Sequence, residues 1–97
     1  MLNQASHEKR REERVAVKHL VDARNTKGMT HDISASGVFF ELDAIFVLGD
    51  VIDFVIEFGR QGVNLILNCI GEIVRVEIRN GKVGVAVKIS QSVMQSA

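Results

Sequence analysis

Arg10-x-x-x-Arg14 and, further along, Asp32-x-Ser34-x-x-Gly37 are the residues of this 97-residue chain best suited to holding a planar anion. Guanidiniums present a forked set of donors that fits phosphate oxygens or the acceptor edge of guanine, and they stay charged at any working pH. Arg11 lies beside the pair, either as a third ligand contact or as a surface charge. Asp32 adds a carboxylate acceptor and Ser34 a hydroxyl, while Gly37 permits a tight turn or a close backbone approach to a ligand. Together these groups have the chemistry of a nucleotide cradle. Each half also has a plainer reading. Glu8 to Arg14 mixes four cations with three carboxylates and would serve as a solvated stretch whose charges nearly cancel. Asp32 to Gly37 would serve as a turn, with Asp and Ser capping their own backbone and Gly supplying a positive φ. The occurrence of both, in this order, favours a ligand.

Other chemistry is poorly supported. His7, His19 and His31 are too far apart in sequence to suggest a ligand set, and no Cys or carboxylate spacing points to zinc, so no metal site is expected. His31, Asp32 and Ser34 lie within four residues of one strand and turn, where the orientation of a catalytic triad is rarely available. No catalytic residue is assigned and the chain reads as a non-enzyme. Arg75 shares a strand face with Glu77 and Arg79 and reads as solvent-facing, although a barrel-surface arginine near the cradle could assist. Of the five phenylalanines, four sit inside apolar runs, which favours core packing over base stacking.

Twelve Lys and Arg balance twelve Asp and Glu, so no long-range field steers the molecule onto nucleic acid or an anionic membrane, and anion binding must be local. Cys69 is the single cysteine, which excludes an intramolecular disulfide and fits a reducing, cytoplasmic setting. No apolar run approaches the length of a membrane span, and the charged start lacks the apolar core of a signal peptide.

The elements that must position the two motifs are strands. Residues 1–13 are polar and charged with almost nothing to bury and are expected to form a flexible switch segment. Residues 14–90 are expected to form the folded domain, with 91–97 as a tail too short to sustain a helix alone and left undecided in state. Val15, Val17 and Val21 alternate with Lys18 and Asp22 as one strand, and Asn25 to Gly28 reads as a hairpin turn into Met29 to Ile33. Val38 to Leu42 follows Gly37. Ile52, Phe54, Ile56 and Phe58 alternate with Asp53, Val55 and Glu57, the clearest strand pattern of the chain. Val63 to Arg79 is a long β-prone stretch in which Gly71 marks a bulge or bend, and Asn80-Gly81 is a two-residue hairpin turn into Val83 to Ile89. About six short strands with regular turns and no amphipathic helix predict an all-β fold, a small six-stranded antiparallel barrel. Closure hides long Val- and Ile-rich edges that would otherwise aggregate.

With these residues placed, the chain resembles the PilZ domain family. The pairing of Arg10-x-x-x-Arg14 with Asp32-x-Ser34-x-x-Gly37 carries the resemblance, joined by Gly71-Glu-Ile-Val-Arg75 and Val83-Gly-Val-Ala-Val87, over roughly residues 9 to 90. It implies a six-stranded barrel that binds the bacterial second messenger cyclic di-GMP, with no other cofactor. Arg10 and Arg14, with Arg11 as a possible third, would contact guanine edges and phosphates, and Asp32, Ser34 and Gly37 would complete the pocket. Binding would order the N-terminal arm and change the surface offered to a downstream protein partner, in a setting such as motility, exopolysaccharide output or biofilm adhesion. A ligand-free barrel acting as a protein adaptor is the alternative. Members often carry a C-terminal helix on the barrel, whereas here only a short stub follows Ile89, which leaves open how the end of the barrel is covered; a second copy of the chain or a further domain could do it.

Overall fold

The computed structural model describes residues 13–60 and 62–96, with the backbone alone at positions 60 and 63. Its regular elements are all strands: β1 (Val15–Ala16), β2 (Leu20–Ala23), β3 (Thr26–Ile33), β4 (Gly37–Leu42), β5 (Val51–Arg60), β6 (Val63–Arg79) and β7 (Lys82–Ser96). They pair antiparallel in the order β1-β3-β2-β5-β6-β7-β4, and a further pairing returns β4 to β3. The strands β3-β2-β5-β6-β7-β4 therefore close into the six-stranded barrel that the turn spacing implies. β1 is an extra strand, laid on the edge of β3 beyond the point where β2 leaves it: Thr26 to Met29 pair with β2, Asp32 and Ile33 with β1.

The continuous strand expected from Val15 to Asp22 is broken in two. The hydroxyl of Thr30, itself buried, accepts from the His19 backbone N–H at 2.8 Å and donates to the Val17 carbonyl at 2.7 Å. A side chain thus takes up backbone groups that a ladder would pair, and the alternation slips, which leaves Val15 51% exposed while Val21 is buried. The first hairpin turn also differs from expectation. Arg24 and Asn25 carry it, with φ of 54° and 61° as a two-residue primed turn requires, and β3 starts at Thr26. Gly28 lies inside β3, where a Cβ would fall 2.1 Å from the Glu41 carbonyl oxygen. Its missing side chain lets β3 cross β4 closely enough to close the barrel.

The interior is filled by alternate residues of the ring: Val21 and Ala23 from β2, Val38, Phe40 and Leu42 from β4, Ile52, Phe54 and Ile56 from β5, Cys69 and Ile73 from β6, Val85 and Val87 from β7. Phe40 packs 5.3 Å from Phe54 between ring centroids, and the β4–β5 connection folds Phe46 back to 6.3 Å from Phe40. Arg24 pins that connection by donating to the Ile45 carbonyl at 2.9 Å and lying over the Phe46 ring. The β6–β7 ladder slips at Ile70/Gly71, where the sequence places a bend, and again at Ile73/Arg75, where the backbone of Ile73 bonds instead to Gly49 and Asp50. Asn80 and Gly81 form the hairpin turn. Residues 91–96, whose state the sequence left open, continue β7 against β6. Phe39 departs from the core reading: it is buried, yet alternation puts it on the outer face, apart from Val38, Phe40 and Leu42. Among the described residues, no helix is long and apolar enough to cross a membrane.

Candidate functional site

β1 and β3 pair with Ala16 opposite Asp32 and Val15 opposite Ile33, and this register brings Arg14, just before β1, to the aspartate. The Arg14 guanidinium donates through Nε at 2.8 Å and Nη2 at 2.5 Å to Oδ1 of Asp32, and through Nη1 at 3.2 Å to Oγ of Ser34. Ser34 is buried and tied into its own turn, donating from the backbone N–H at 2.8 Å and from Oγ at 3.3 Å to the Gly37 carbonyl. Asp32 to Gly37 is thus a turn, and the same turn carries the two groups that Arg14 contacts. The expected positive φ at Gly37 is absent. Gly37 instead opens β4, where a Cβ would lie 3.1 Å from the Val87 carbonyl oxygen, so its smallness serves the approach of β4 to β7.

The pair is accessible, with side-chain exposures of 50% for Arg14 and 25% for Asp32. Water screens such a contact, which is worth roughly 0–1 kcal/mol. A ligand anion can therefore take over the guanidinium at little cost to the fold. On its other oxygen Asp32 faces His31 Nδ1 at 3.5 Å.

A recess of about 410 Å³ opens here, with Arg14, Asp32 and Gly37 on one side and Val74, Arg75 and Ala86 on the other. Strand register explains the grouping. Asp32 is opposite Phe39, Phe39 opposite Ala86, and Ala86 opposite Arg75, so one outward row crosses β3, β4, β7 and β6. Small Ala86 leaves the hollow. The Arg75 and Arg79 guanidiniums each lie 5.4 Å from the Phe39 ring centre, and Glu77 bridges them, at 2.8 Å from Arg75 and 3.0 Å from Arg79. The hydrogen bond from Arg79, reinforced by the two positive charges, holds the Glu77 carboxyl below its ordinary value. A T-shaped contact sets His31 5.6 Å from the same ring. A larger hollow of about 740 Å³ lies elsewhere, but it gathers Asp22 and Asp53 around Arg24, whose guanidinium already serves Ile45 and Asp50, and it offers a phosphate little.

Of the site residues named from sequence, Arg14, Asp32, Ser34 and Gly37 come together; Arg10 and Arg11 lie outside the described residues. Arg75, read as a solvent-facing charge, is exposed but also walls the recess. Phe39, read as core, is buried on the outer face beneath the Arg75 and Arg79 guanidiniums. Their signal was register, which places Ala86 between them, and register is invisible until β6 and β7 are paired with their bulges.

The family model described as PilZ domain matches residues 6–96. No curated protein matches. Among solved structures, an inhibitor of motility from Bacillus subtilis (MotI/DgrA) is similar in fold, with a TM-score of 0.75 at 15% identity, over 88% of this chain and 44% of that one. The chain thus spans less than half the length of that structural relative.

Proposed function

This chain belongs to the PilZ domain family, and from that premise we propose that it is a receptor for cyclic di-GMP, held by the Arg-x-x-x-Arg and Asp-x-Ser-x-x-Gly motifs. The supporting observation is the meeting of the two motifs at the rim of the recess, where Arg14 touches both Asp32 and Ser34. The ligand carries two phosphodiester charges and two guanines. Arginine reads the guanine N7 and O6 acceptors with two donors and also stacks on the purine face. Asp32 accepts from the guanine N1 and N2 donors once Arg14 turns to the ligand. Arg10, with Arg11 as a further contact, approaches from the N-terminal segment, which has few apolar residues of its own and gains order from the bound nucleotide. The nucleotide is not altered. Its arrival changes the surface offered to a protein partner in the cytoplasm, and the motility role named for the Bacillus subtilis relative makes motility one candidate output.

A second reading has its own support. The Arg14 guanidinium already has partners in Asp32 and Ser34 without any ligand, as expected of an adaptor barrel that binds protein alone. Isothermal titration calorimetry with cyclic di-GMP separates the two. The receptor reading expects micromolar or tighter binding that Arg14→Ala weakens about 10- to 100-fold, the equivalent of about 1–3 kcal/mol for a charge-assisted two-donor contact. Absence of binding heat from the folded wild-type chain overturns the receptor; unchanged affinity in Arg14→Ala overturns the assigned contact.

A further inference from the structure

β7 outruns the barrel. Its inner portion lies between β6 and β4, and its last β4 pair is Lys88 with Gly37. The Ile89 N–H still donates to the Ser36 carbonyl at 2.8 Å. From Gln91 to Ser96 the strand remains paired with Ile70 to Leu65 of β6, but among the described residues no strand lies along its other side. A bare edge of this kind presents a row of backbone donors and acceptors ready for another strand. Two of the guards usually found on such edges are missing, since the chain has no proline and residues 89–97 carry no charged side chain. Val93 and Met94 are 59% and 52% exposed, one on each face.

We propose that this edge is a self-association surface: residues 91–95 pair antiparallel with the same segment of a second copy, about a two-fold axis through Val93. The segment is complementary to itself. Gln91-x-Val93-x-Gln95 reads the same in both directions, so antiparallel pairing sets Val93 against its own counterpart and each Gln91 against a Gln95. Gln95 already accepts at Oε1 from Asn68 at 2.6 Å, which leaves its amide N–H groups to donate to the Gln91 carbonyl oxygen of the copy. A charge-free strand meets its copy without the like-charge repulsion that ordinarily opposes self-pairing. The outward row Met29, Leu20, Glu57, Ile66 and Gln95, which crosses β3, β2, β5, β6 and β7, would continue into the corresponding row of the second copy. A short edge buries little area, so the dimer is expected to be reversible, with a dissociation constant on the order of micromolar.

Sedimentation velocity of the full 97-residue chain over a wide concentration range tests this. The wild-type chain is expected to shift from monomer to dimer as concentration rises. Val93→Lys, at a site exposed enough to spare the fold, is expected to weaken the dimer at least tenfold by setting two cations face to face, while circular dichroism stays unchanged. Val93→Glu is expected to do the same alone, and an equimolar mixture of the two variants to form heterodimers. A wild-type chain that stays monomeric at several hundred micromolar overturns the proposal, as does a Val93→Lys chain that dimerises undiminished or a mixture that fails to associate. All these readouts are made without nucleotide, so they stand or fall independently of cyclic di-GMP binding.

Discussion

Arg14 and Cys69 mark the two extremes of what a single side chain does in this molecule. Arg14 joins an exposed ion pair of small energetic weight, so Arg14→Ala should leave the melting temperature within a few degrees of wild type, and any fall in nucleotide affinity then belongs to the lost contact. Cys69 is the opposite: it is 1% exposed, opposite Phe54 in the β5–β6 ladder, and burial pushes its thiol up to about 11 from an ordinary 9.0. Since the unfolded chain ionises first, the stability tied to this thiol is intact below 9.0 and is lost as the pH climbs toward about 11. The native thiol should therefore resist an aromatic disulfide reagent at pH 8 and react fully once denaturant is added; rapid stoichiometric reaction of the folded protein would contradict this. At this scale the sequence was legible where chemistry is intrinsic to residue type, as with the arginine, aspartate and serine of the two motifs. It was not legible for Arg75 and Phe39, whose importance comes from their neighbours across strands.

Among the elements, β3 is the most constrained, because it pairs with three other strands and crosses β4 at Gly28. A methyl group there would collide with the Glu41 carbonyl and the Leu42 Cβ at 2.1 Å and 2.4 Å, and both are fixed by the ladder. Gly28→Ala should cost about 1–3 kcal/mol or more. In a domain of this size that lowers the melting temperature by at least about 5 °C, which a thermal circular-dichroism scan measures directly. An unchanged melting temperature would mean that the crossing can open. Period-two alternation was enough to read β5 and the start of β7, whereas β4, which buries Phe39 as well as Val38, Phe40 and Leu42, was read from the apolar run after Gly37. It failed where tertiary contacts override it. Thr30 divides the strand expected from Val15 to Asp22 through two hydrogen bonds to residues 17 and 19, far away in sequence. Residues 91–96 are extended because β6 is long enough to pair with them.

For the whole molecule, closure depends on two pairings distant in sequence: β2 with β5 and β4 with β7. Each loop must close before its pairing is rewarded, so folding should take milliseconds to seconds, like other β-dominated domains. Stopped-flow circular dichroism can follow it, and a microsecond phase carrying the full amplitude would be inconsistent with this topology. With neither tryptophan nor tyrosine in the chain, far-ultraviolet signals are the natural probe. The length of β7 has one more consequence. Val87 lines the recess and Gln91 begins the bare margin, and at about 3.3 Å per residue the two lie roughly 13 Å apart on one stiff rod. A messenger seated at the first position and a sister molecule docked at the second would be tenants of adjoining plots, near enough to jostle or to brace each other by bulk alone.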